Sequence, residues 1–291
     1  MDTEEAYKFC ENLTKKHYEN FPVGSLLIPK NKRKFVYSVY AFARTADDIA
    51  DSYELKSDEK VNALMEYENE LQDAYQDNFN NSGEHGKIFM ALSNTKDELN
   101  IPIKEFRNLL TAFMQDAVKD RYKTFQELID YSENSANPIG HLVLYVFGFN
   151  ERKDEKIFRL SDKICTALQL TNFWQDVSRD IEINRIYIPK EVMQEFNYKE
   201  GWLFKKIEND NLRGMMKELV EKTKTIFKEG KGIIDLVSGR LKLELKATYL
   251  GGSEILKKIE EINYNVLSQR VKVEKSDKIN ILFRTFLKSL N

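Results

Sequence analysis

Residues 40–51 read Tyr-Ala-Phe-Ala-Arg-Thr-Ala-Asp-Asp-Ile-Ala-Asp, and residues 169–180 read Gln-Leu-Thr-Asn-Phe-Trp-Gln-Asp-Val-Ser-Arg-Asp. In both stretches apolar residues recur at spacings of three and four, the period of an amphipathic helix. Each stretch also places two carboxylates four residues apart, Asp47 with Asp51 and Asp176 with Asp180. Because residues i and i+4 share a helix face, each stretch predicts a helix with paired carboxylates on one side.

A line of polar side chains continues each carboxylate pair along its helix. The two lines are Tyr40, Arg44, Asp47 and Asp51 in the first stretch, and Gln169, Asn172, Asp176 and Asp180 in the second. Steps of three and four keep each set on one face, while most neighbouring residues are apolar. The pattern indicates a buried, hydrated cavity.

Carboxylates in apolar surroundings lose their charge or move to solvent unless a cation compensates them. Mg²⁺ prefers oxygen ligands, takes one or two protein carboxylates and completes its octahedron with waters and substrate phosphates. We therefore predict a Mg²⁺ site, with Mn²⁺ as the alternative ion, and a diphosphate ligand. One such motif in a chain with 32% charged residues is often only a solvated helix face, so the prediction depends on the two copies.

Two arginine–tyrosine pairs are weaker candidates, Arg121 with Tyr122 and Arg185 with Tyr187. Either arginine could clamp diphosphate oxygens or be a surface or capping residue. Residues 131–140, Tyr-Ser-Glu-Asn-Ser-Ala-Asn-Pro-Ile-Gly, place small residues and a proline inside a helical stretch. This composition predicts a break or kink beside a cavity, with Tyr131 facing the chemistry.

The rest of the chain favours helices, because only 12 Gly and 5 Pro occur in 291 residues and turn-rich all-β folds need more. We predict an all-α fold in a single domain, residues 1–291. Apolar spacing predicts helices near residues 3–20, 31–53, 57–77, 85–99, 103–119, 125–148 and 154–182, followed by several from about 190 to the end.

Charge and cysteine content exclude several classes of protein. The net charge of −2, from 45 basic and 47 acidic residues, gives no footprint for nucleic acid. Cys10 and Cys165 lie far apart in helical patterns, so no disulfide framework is predicted and a reducing cytoplasm is expected. From the acidic start of the sequence and the length of its apolar runs, we expect neither an export signal nor a membrane-spanning segment. No dinucleotide-binding fingerprint occurs, and NADPH is not expected.

The last helical pattern is amphipathic and partly basic. Its apolar residues are Ile279, Leu282, Phe283, Phe286, Leu287 and Leu290, with Lys278, Arg284 and Lys288 opposite. We expect this face to pack on the core. Peripheral contact with the inner face of the membrane is the alternative.

Residues 40–51 and 169–180, together with Arg-Tyr at 121–122 and Arg-Ile-Tyr-Ile-Pro at 185–189, resemble the squalene/phytoene synthase family. The resemblance runs from about Tyr7 to at least Tyr249. It implies an isoprenoid-synthase-type helical bundle around a central cavity. It also implies an enzyme that acts on prenyl diphosphates, as a carbon–oxygen lyase or a prenyltransferase.

Three further segments resemble the bacterial hydroxysqualene synthase branch, which serves squalene and hopanoid biosynthesis. They are His-Tyr-Glu-Asn-Phe-Pro-Val at 17–23, Ser-Ala-Asn-Pro-Ile-Gly at 135–140 and Asn-Phe-Trp-Gln-Asp at 172–176. This resemblance implies that presqualene diphosphate loses diphosphate and that water captures the rearranged cation to give hydroxysqualene.

The family resemblance assigns a role to each matching residue. Asp47, Asp51, Asp176 and Asp180 would bind Mg²⁺, with Asp48 in support. Arg44, Gln169, Asn172 and Arg185 would orient or bind diphosphate. Phe21, Tyr40 and Tyr131 would line the reacting end, where aromatic faces stabilise positive charge, and Tyr187 is a second-rank candidate. Asn184 stands where many relatives have Gly, which bears on the loop that holds Arg185.

Two other functions remain open at this point. The first is head-to-head condensation of two farnesyl or geranylgeranyl diphosphates to presqualene diphosphate, squalene, dehydrosqualene or phytoene. The second is a non-catalytic helical scaffold, although loss of catalysis would be expected to remove acidic residues that this chain keeps.

Overall fold

The computed structural model describes residues 2–16, 28–78, 80 and 82–286, and every regular element among them is helical. The α-helices are α1 (Thr3–Lys16), α2 (Arg33–Ala50), α3 (Ser57–Tyr75), α4 (Gly83–Leu99), α5 (Lys104–Asp116), α6 (Phe125–Ser135), α7 (Asn137–Phe147), α8 (Glu155–Asp180), α9 (Lys190–Glu195), α10 (Glu200–Phe204), α11 (Asp210–Gly230), α12 (Ile233–Leu236), α13 (Gly239–Glu261) and α14 (Lys275–Phe286). Short 3₁₀ turns occupy Lys30–Lys32 and Ile181–Ile183. The all-α prediction is confirmed.

The chain forms two compact units. The first comprises Met1–Val118 with Pro138–Phe158, and the second comprises Lys119–Asn137 with Arg159–Asn291. The single domain predicted over residues 1–291 stays a prediction.

Aromatic packing in the first unit fixes the orientation of α2. Phe42 is fully buried, stacks on Tyr67 with ring centroids 5.1 Å apart, and meets the edge of Phe106 at the same separation. Each such pair contributes about 0.5–1.5 kcal/mol beyond the area it buries. Since Tyr40 and Asp47 lie on the opposite side of the helix from Phe42, the packing turns the predicted polar line away from this core.

Close approach between helices fixes α8 in the second unit. A Cβ atom at Gly252 of α13 would lie 2.5 Å from Phe227 Cζ and 2.9 Å from Leu168 Cδ2, so the helices approach where only glycine fits. Trp174 is fully buried, and its indole N–H donates a hydrogen bond to Thr223 Oγ1 at 2.8 Å. These contacts fix the rotation of α8 about its axis, and with it the direction in which the second acidic pair points.

The predicted break in the stretch 125–148 is confirmed. Helix α6 ends at Ser135 and α7 begins at Asn137, which places Pro138 in the first turn of the new helix. A proline fits there because a first-turn residue has no intrahelical acceptor for an N–H group.

The prediction that the last helix packs its apolar face on the core is wrong for the part that the structure describes. Ile279, Leu282, Phe283 and Phe286 of α14 are all more than half exposed. Leu287, Lys288 and Leu290 lie outside the described residues. Among those described, none of the helices combines the length and apolar composition required to cross a bilayer.

Candidate active site

The first acidic motif, residues 47–51, lies at the carboxyl end of α2 and carries its own cation. Arg44 Nη1 donates to Asp47 Oδ2 at 3.0 Å, and Nη2 donates to Asp48 Oδ1. Asp51 caps the helix, and its backbone N–H donates to the Asp47 carbonyl at 2.8 Å, which keeps these two residues one turn apart. Asp48 and Asp51 are exposed, so the predicted burial of the polar line is wrong for Asp51.

An apolar groove lies beside the first motif, between α2 and α7. It has about 440 Å³ of empty space, part of it open to solvent. The groove is lined by Val36, Val39, Tyr40 and Ala43 from α2, and by Ile139, Leu142, Val143 and Val146 from α7.

The groove and the acidic motif share one face of α2. Val36, Tyr40, Ala43 and Asp47 follow steps of four, three and four, and therefore project in similar directions. With a rise of about 1.5 Å per residue, Asp47 lies about 16 Å further along the axis than Val36. Burial raises the pKa of the Tyr40 phenol, which keeps it neutral at the boundary between the apolar and the charged part.

The second acidic motif, residues 176–180, ends α8 and takes its cation from a distant segment. Arg270 Nε donates to Asp176 Oδ1, and Nη2 donates to Asp176 Oδ2 at 3.2 Å. Gln175 Nε2 donates to the carbonyl of Val271 at 2.8 Å, and this bond fixes the arginine segment against α8. The guanidinium therefore holds both oxygens of one carboxylate, a strong and directional arrangement.

Asp180 occupies a less favourable environment than Asp176. Burial, followed by the negative charge of Asp176, raises the pKa of the Asp180 carboxyl to about 7. Arg185, Arg179 and Arg270 oppose this shift without cancelling it. The site thus holds a carboxyl group that gains from any additional positive charge.

The loop after α8 presents Arg185. Asn184 adopts the left-handed conformation, with φ 59° and ψ 27°, a region that Gly and Asn tolerate best. Arg185 then donates its backbone N–H to the carbonyl of Asp180 at 2.8 Å. Asn therefore provides the geometry that Gly would provide at this position.

Arg121 braces the same loop. Its Nη2 donates to Asn184 Oδ1 at 2.8 Å, and its Nε donates to Glu200 Oε1 at 2.8 Å. The backbone N–H of Ile186 donates to the Asp120 carbonyl at 3.0 Å. Of the two roles open to Arg121, these contacts favour the structural one.

Aromatic rings from α6, α8 and the loop meet in the second unit. Tyr187 stacks on Phe173 with centroids 3.8 Å apart, and Tyr131 lies 5.9 Å from Phe173. Tyr131 and Tyr187 are 5% and 8% exposed. Tyr122 stacks on Tyr187 at 5.5 Å. Such ring faces attract positive charge.

The three other predicted site residues are Gln169, Asn172 and Phe21. Gln169 is half-buried and Asn172 is exposed on α8, at positions that share a face with Asp176. Phe21 lies outside the described residues. Arg270, by contrast, was missed by sequence reasoning, because it lies beyond the family-like stretch and no spacing links it to Asp176.

The residues of the two motifs fit a divalent cation. Within the described part of the chain, no group of three or more His, Cys, Asp or Glu side chains forms a ready-made metal cage. Instead, a guanidinium occupies the oxygens of Asp47 and Asp48, and another occupies those of Asp176. Mg²⁺ needs only one or two carboxylates beside waters and phosphates. At both motifs the carboxylates already pair with a positively charged guanidinium group.

Residues 14–277 match the sequence model described as squalene/phytoene synthase. The chain belongs to this family. The crystal structure of squalene synthase HpnC from Alicyclobacillus acidocaldarius superposes with a TM-score of 0.84 and 36% identity, covering 90% of this chain and 96% of that one. The isoprenoid-synthase fold predicted from the sequence is confirmed.

Curated relatives carry two different activities in their names. A 15-cis-phytoene synthase of Synechocystis is 27% identical, over 95% of this chain and 83% of its own. A hydroxysqualene synthase of Zymomonas mobilis is 28% identical, over 91% and 86%. The chain is therefore an isoprenoid synthase of a family that acts on prenyl diphosphates and uses divalent metal ions.

Proposed function

We propose that this enzyme converts presqualene diphosphate and water to hydroxysqualene and diphosphate, with Mg²⁺ and without NADPH. The observation that carries the proposal is the continuous face of α2, on which an apolar groove leads to Asp47. A molecule with a hydrocarbon chain and an anionic head fits this face, with the chain in the apolar groove and the head near Asp47. We place the activity in the cytoplasm, with peripheral contact at the inner face of the membrane.

The groove would hold a prenyl chain. Its lining is almost entirely apolar, so burying a hydrocarbon there removes apolar surface from water at about 25 cal/mol per Å². Tyr40 and Ala43 lie where the apolar lining gives way to Arg44 and Asp47. This order would fix the chain direction, with the diphosphate toward the end of α2.

The acidic motifs would hold the metal ions. Asp47 and Asp51 would bind in the first motif, with Asp48 in support, and Asp176 and Asp180 would bind in the second. When bound, Mg²⁺ supplies positive charge to the departing diphosphate. Arg44 and Arg270 would exchange a carboxylate for a diphosphate oxygen, since guanidinium groups bind both anions in the same geometry.

Polar residues near the second motif would orient the diphosphate. Gln169 and Asn172 share the face of Asp176, and Arg185 is fixed next to Asp180 by its backbone bond. Tyr131, with Tyr187 as a second-rank candidate, would line the reacting end, where an aromatic ring stabilises a developing carbocation. The apolar surroundings would exclude bulk water and so limit capture to one solvent molecule.

Product analysis tests this proposal. Purified enzyme with Mg²⁺ is expected to convert presqualene diphosphate to hydroxysqualene, identified by mass spectrometry, and NADPH is expected to leave the product unchanged. Farnesyl diphosphate alone should be converted slowly or not at all. Formation of squalene with NADPH would contradict the water-capture step.

Head-to-head condensation is the second candidate, and the similarity to phytoene synthases over 95% of the chain favours it. It predicts turnover of farnesyl or geranylgeranyl diphosphate without added presqualene diphosphate. Efficient condensation of either substrate would replace our proposal with this one.

A further inference from the structure

Helix α14 presents a stripe of large apolar side chains to solvent. The exposed fractions are 70% for Ile279, 56% for Leu282, 68% for Phe283 and 64% for Phe286. Their spacing of three, one and three puts them on one face of the helix. Contiguous exposed apolar surface of this kind marks a contact with a protein, a membrane or a ligand.

Contacts outside the stripe hold α14 in place. Lys258 Nζ of α13 forms an ion pair with Asp277 at 2.9 Å, and Thr285 is 1% exposed on the inner side. The backbone N–H of Glu274 donates to Asp277 Oδ2 at 2.7 Å and caps the helix start. The helix is therefore anchored by one side while the apolar stripe remains available on another.

Basic residues flank the stripe. Lys272, Lys275 and Lys278 are all exposed. The acidic residues of this segment are Glu274 and Asp277, and Lys258 already compensates Asp277. The surface around the stripe therefore carries an excess of positive charge.

We propose that α14 binds an anionic lipid bilayer, with the apolar stripe in the interface and the basic residues at the headgroups. Amphipathic helices with basic flanks bind bilayers in this way. If two copies of the chain met through this stripe about a two-fold axis, their lysines would lie close together and repel each other. This repulsion disfavours a second copy as the partner. The inference extends the proposed function, because presqualene diphosphate is an amphiphile that partitions into membranes.

Vesicle co-sedimentation tests this contact without any substrate. The full chain is expected to bind vesicles of phosphatidylcholine mixed with phosphatidylglycerol, and to bind pure phosphatidylcholine more weakly. The double variant Phe283→Ser, Phe286→Ser should bind the mixed vesicles at least about tenfold more weakly, because two large apolar contacts are lost. Val118→Ser is the matched control, since Val118 is 66% exposed elsewhere, and it should bind like the parent.

A charge-reversal variant separates the two components of binding. Lys275→Glu with Lys278→Glu should weaken binding to mixed vesicles and leave binding to pure phosphatidylcholine unchanged. Circular dichroism and thermal melting verify that each variant is folded. Absence of parent binding, or equal binding by the parent and the phenylalanine variant, would overturn the proposal.

Sedimentation velocity tests the alternative that a second copy of the chain covers the stripe. If the parent is a dimer that the phenylalanine variant dissociates, and neither binds vesicles, the stripe is an interface between copies. Turnover of detergent-dispersed presqualene diphosphate should be the same in parent and variant. If the phenylalanine variant loses vesicle binding but keeps its turnover, the result supports the membrane contact and leaves the proposed reaction unaffected. If neither parent nor variant turns over presqualene diphosphate, the proposed reaction is wrong, and the vesicle result still tests the membrane contact.

Discussion

The two acidic motifs have the same spacing but acquire their counter-charges in different ways. In the first, Arg44 lies three and four residues before its carboxylate partners on the same helix. In the second, Arg270 lies 94 residues after Asp176. The first arrangement follows from helix periodicity, whereas the second depends on the packing of a remote segment. Equal spacing therefore does not imply equal environments.

The environments differ in exposure as well. The Asp47 and Asp48 side chains are 38% and 51% exposed, so solvent screens the first motif. Asp176 is 27% exposed, and the pKa of its neighbour Asp180 is raised to about 7 by burial and by the Asp176 charge. We infer that the first motif contributes little to stability, while the second stores unfavourable electrostatic energy that a cation would relieve.

The largest expected effect comes from removing one carboxylate of either motif. Asp176→Asn and Asp47→Asn should each lower kcat/KM for presqualene diphosphate by more than about 100-fold, the upper range for changes to groups that only support metal ligands. Steady-state kinetics at saturating Mg²⁺ measures this. Asp210→Asn is the control, because Asp210 is 97% exposed and pairs with an arginine three residues away, Arg213, although in the opposite order along the chain to Arg44 and Asp47.

The free energy of unfolding should also differ between Asp176→Asn and Asp47→Asn. Asp176→Asn leaves Arg270 without its anionic partner and should destabilise the metal-free protein by about 1–3 kcal/mol. Asp47→Asn should cost less than about 1 kcal/mol, as expected for a solvent-screened pair. Urea denaturation in EDTA provides both values. Equal losses would remove the distinction between the motifs.

The next effect concerns pH. The pKa of Asp180 in the folded protein, about 7, exceeds the usual value of 3.8 for an aspartate side chain. Between these values the unfolded chain has lost the proton that the folded chain retains, so this group makes stability fall as pH rises. Asp180→Asn should therefore stabilise the metal-free protein at pH 8 by on the order of 4 kcal/mol, since each of the roughly three pKa units is equivalent to about 1.4 kcal/mol, and by much less at pH 4.

Asp51→Asn is the control for that measurement, because Asp51 is exposed. It should change stability little at either pH. If Asp180→Asn gave no pH-dependent gain over the parent in EDTA, the buried and repelled state of Asp180 would be refuted.

A smaller effect is expected from filling the groove next to the first motif. Ala43→Phe places a ring where the apolar lining meets Tyr40 and should lower kcat/KM about tenfold or more, since small misplacements of a bound substrate are costly. Ala43→Ser adds little bulk and should remain close to the parent. Unchanged kinetics for the phenylalanine variant would exclude the groove as the chain-binding surface.

Local features of the fold were predictable from the sequence. The two motif helices follow from three- and four-residue apolar spacing, and the break near residue 136 follows from Pro138. Each depends on residues within a few turns, where helix geometry alone decides. The ends of α2 and α8 were less accurate, because capping and 3₁₀ turns determine where a helix stops.

Nonlocal features were not predictable. Arg270 contacts Asp176 where the Gln175–Val271 hydrogen bond joins its segment to α8, and no sequence spacing encodes that contact. The outward stripe of α14 was assigned to the core, since an apolar face indicates burial without identifying the surface that covers it. The exposure of Asp51 was missed for a related reason, because periodicity identifies a face of a helix and not what surrounds that face.

Calorimetric titration with Mg²⁺ and inorganic diphosphate tests most directly whether the acidic motifs bind the metal-diphosphate head. The parent should bind both together, whereas Asp47→Asn and Asp176→Asn should each weaken that binding by about tenfold or more, with Asp210→Asn unchanged. Binding by both motif variants with the affinity of the parent would contradict the account.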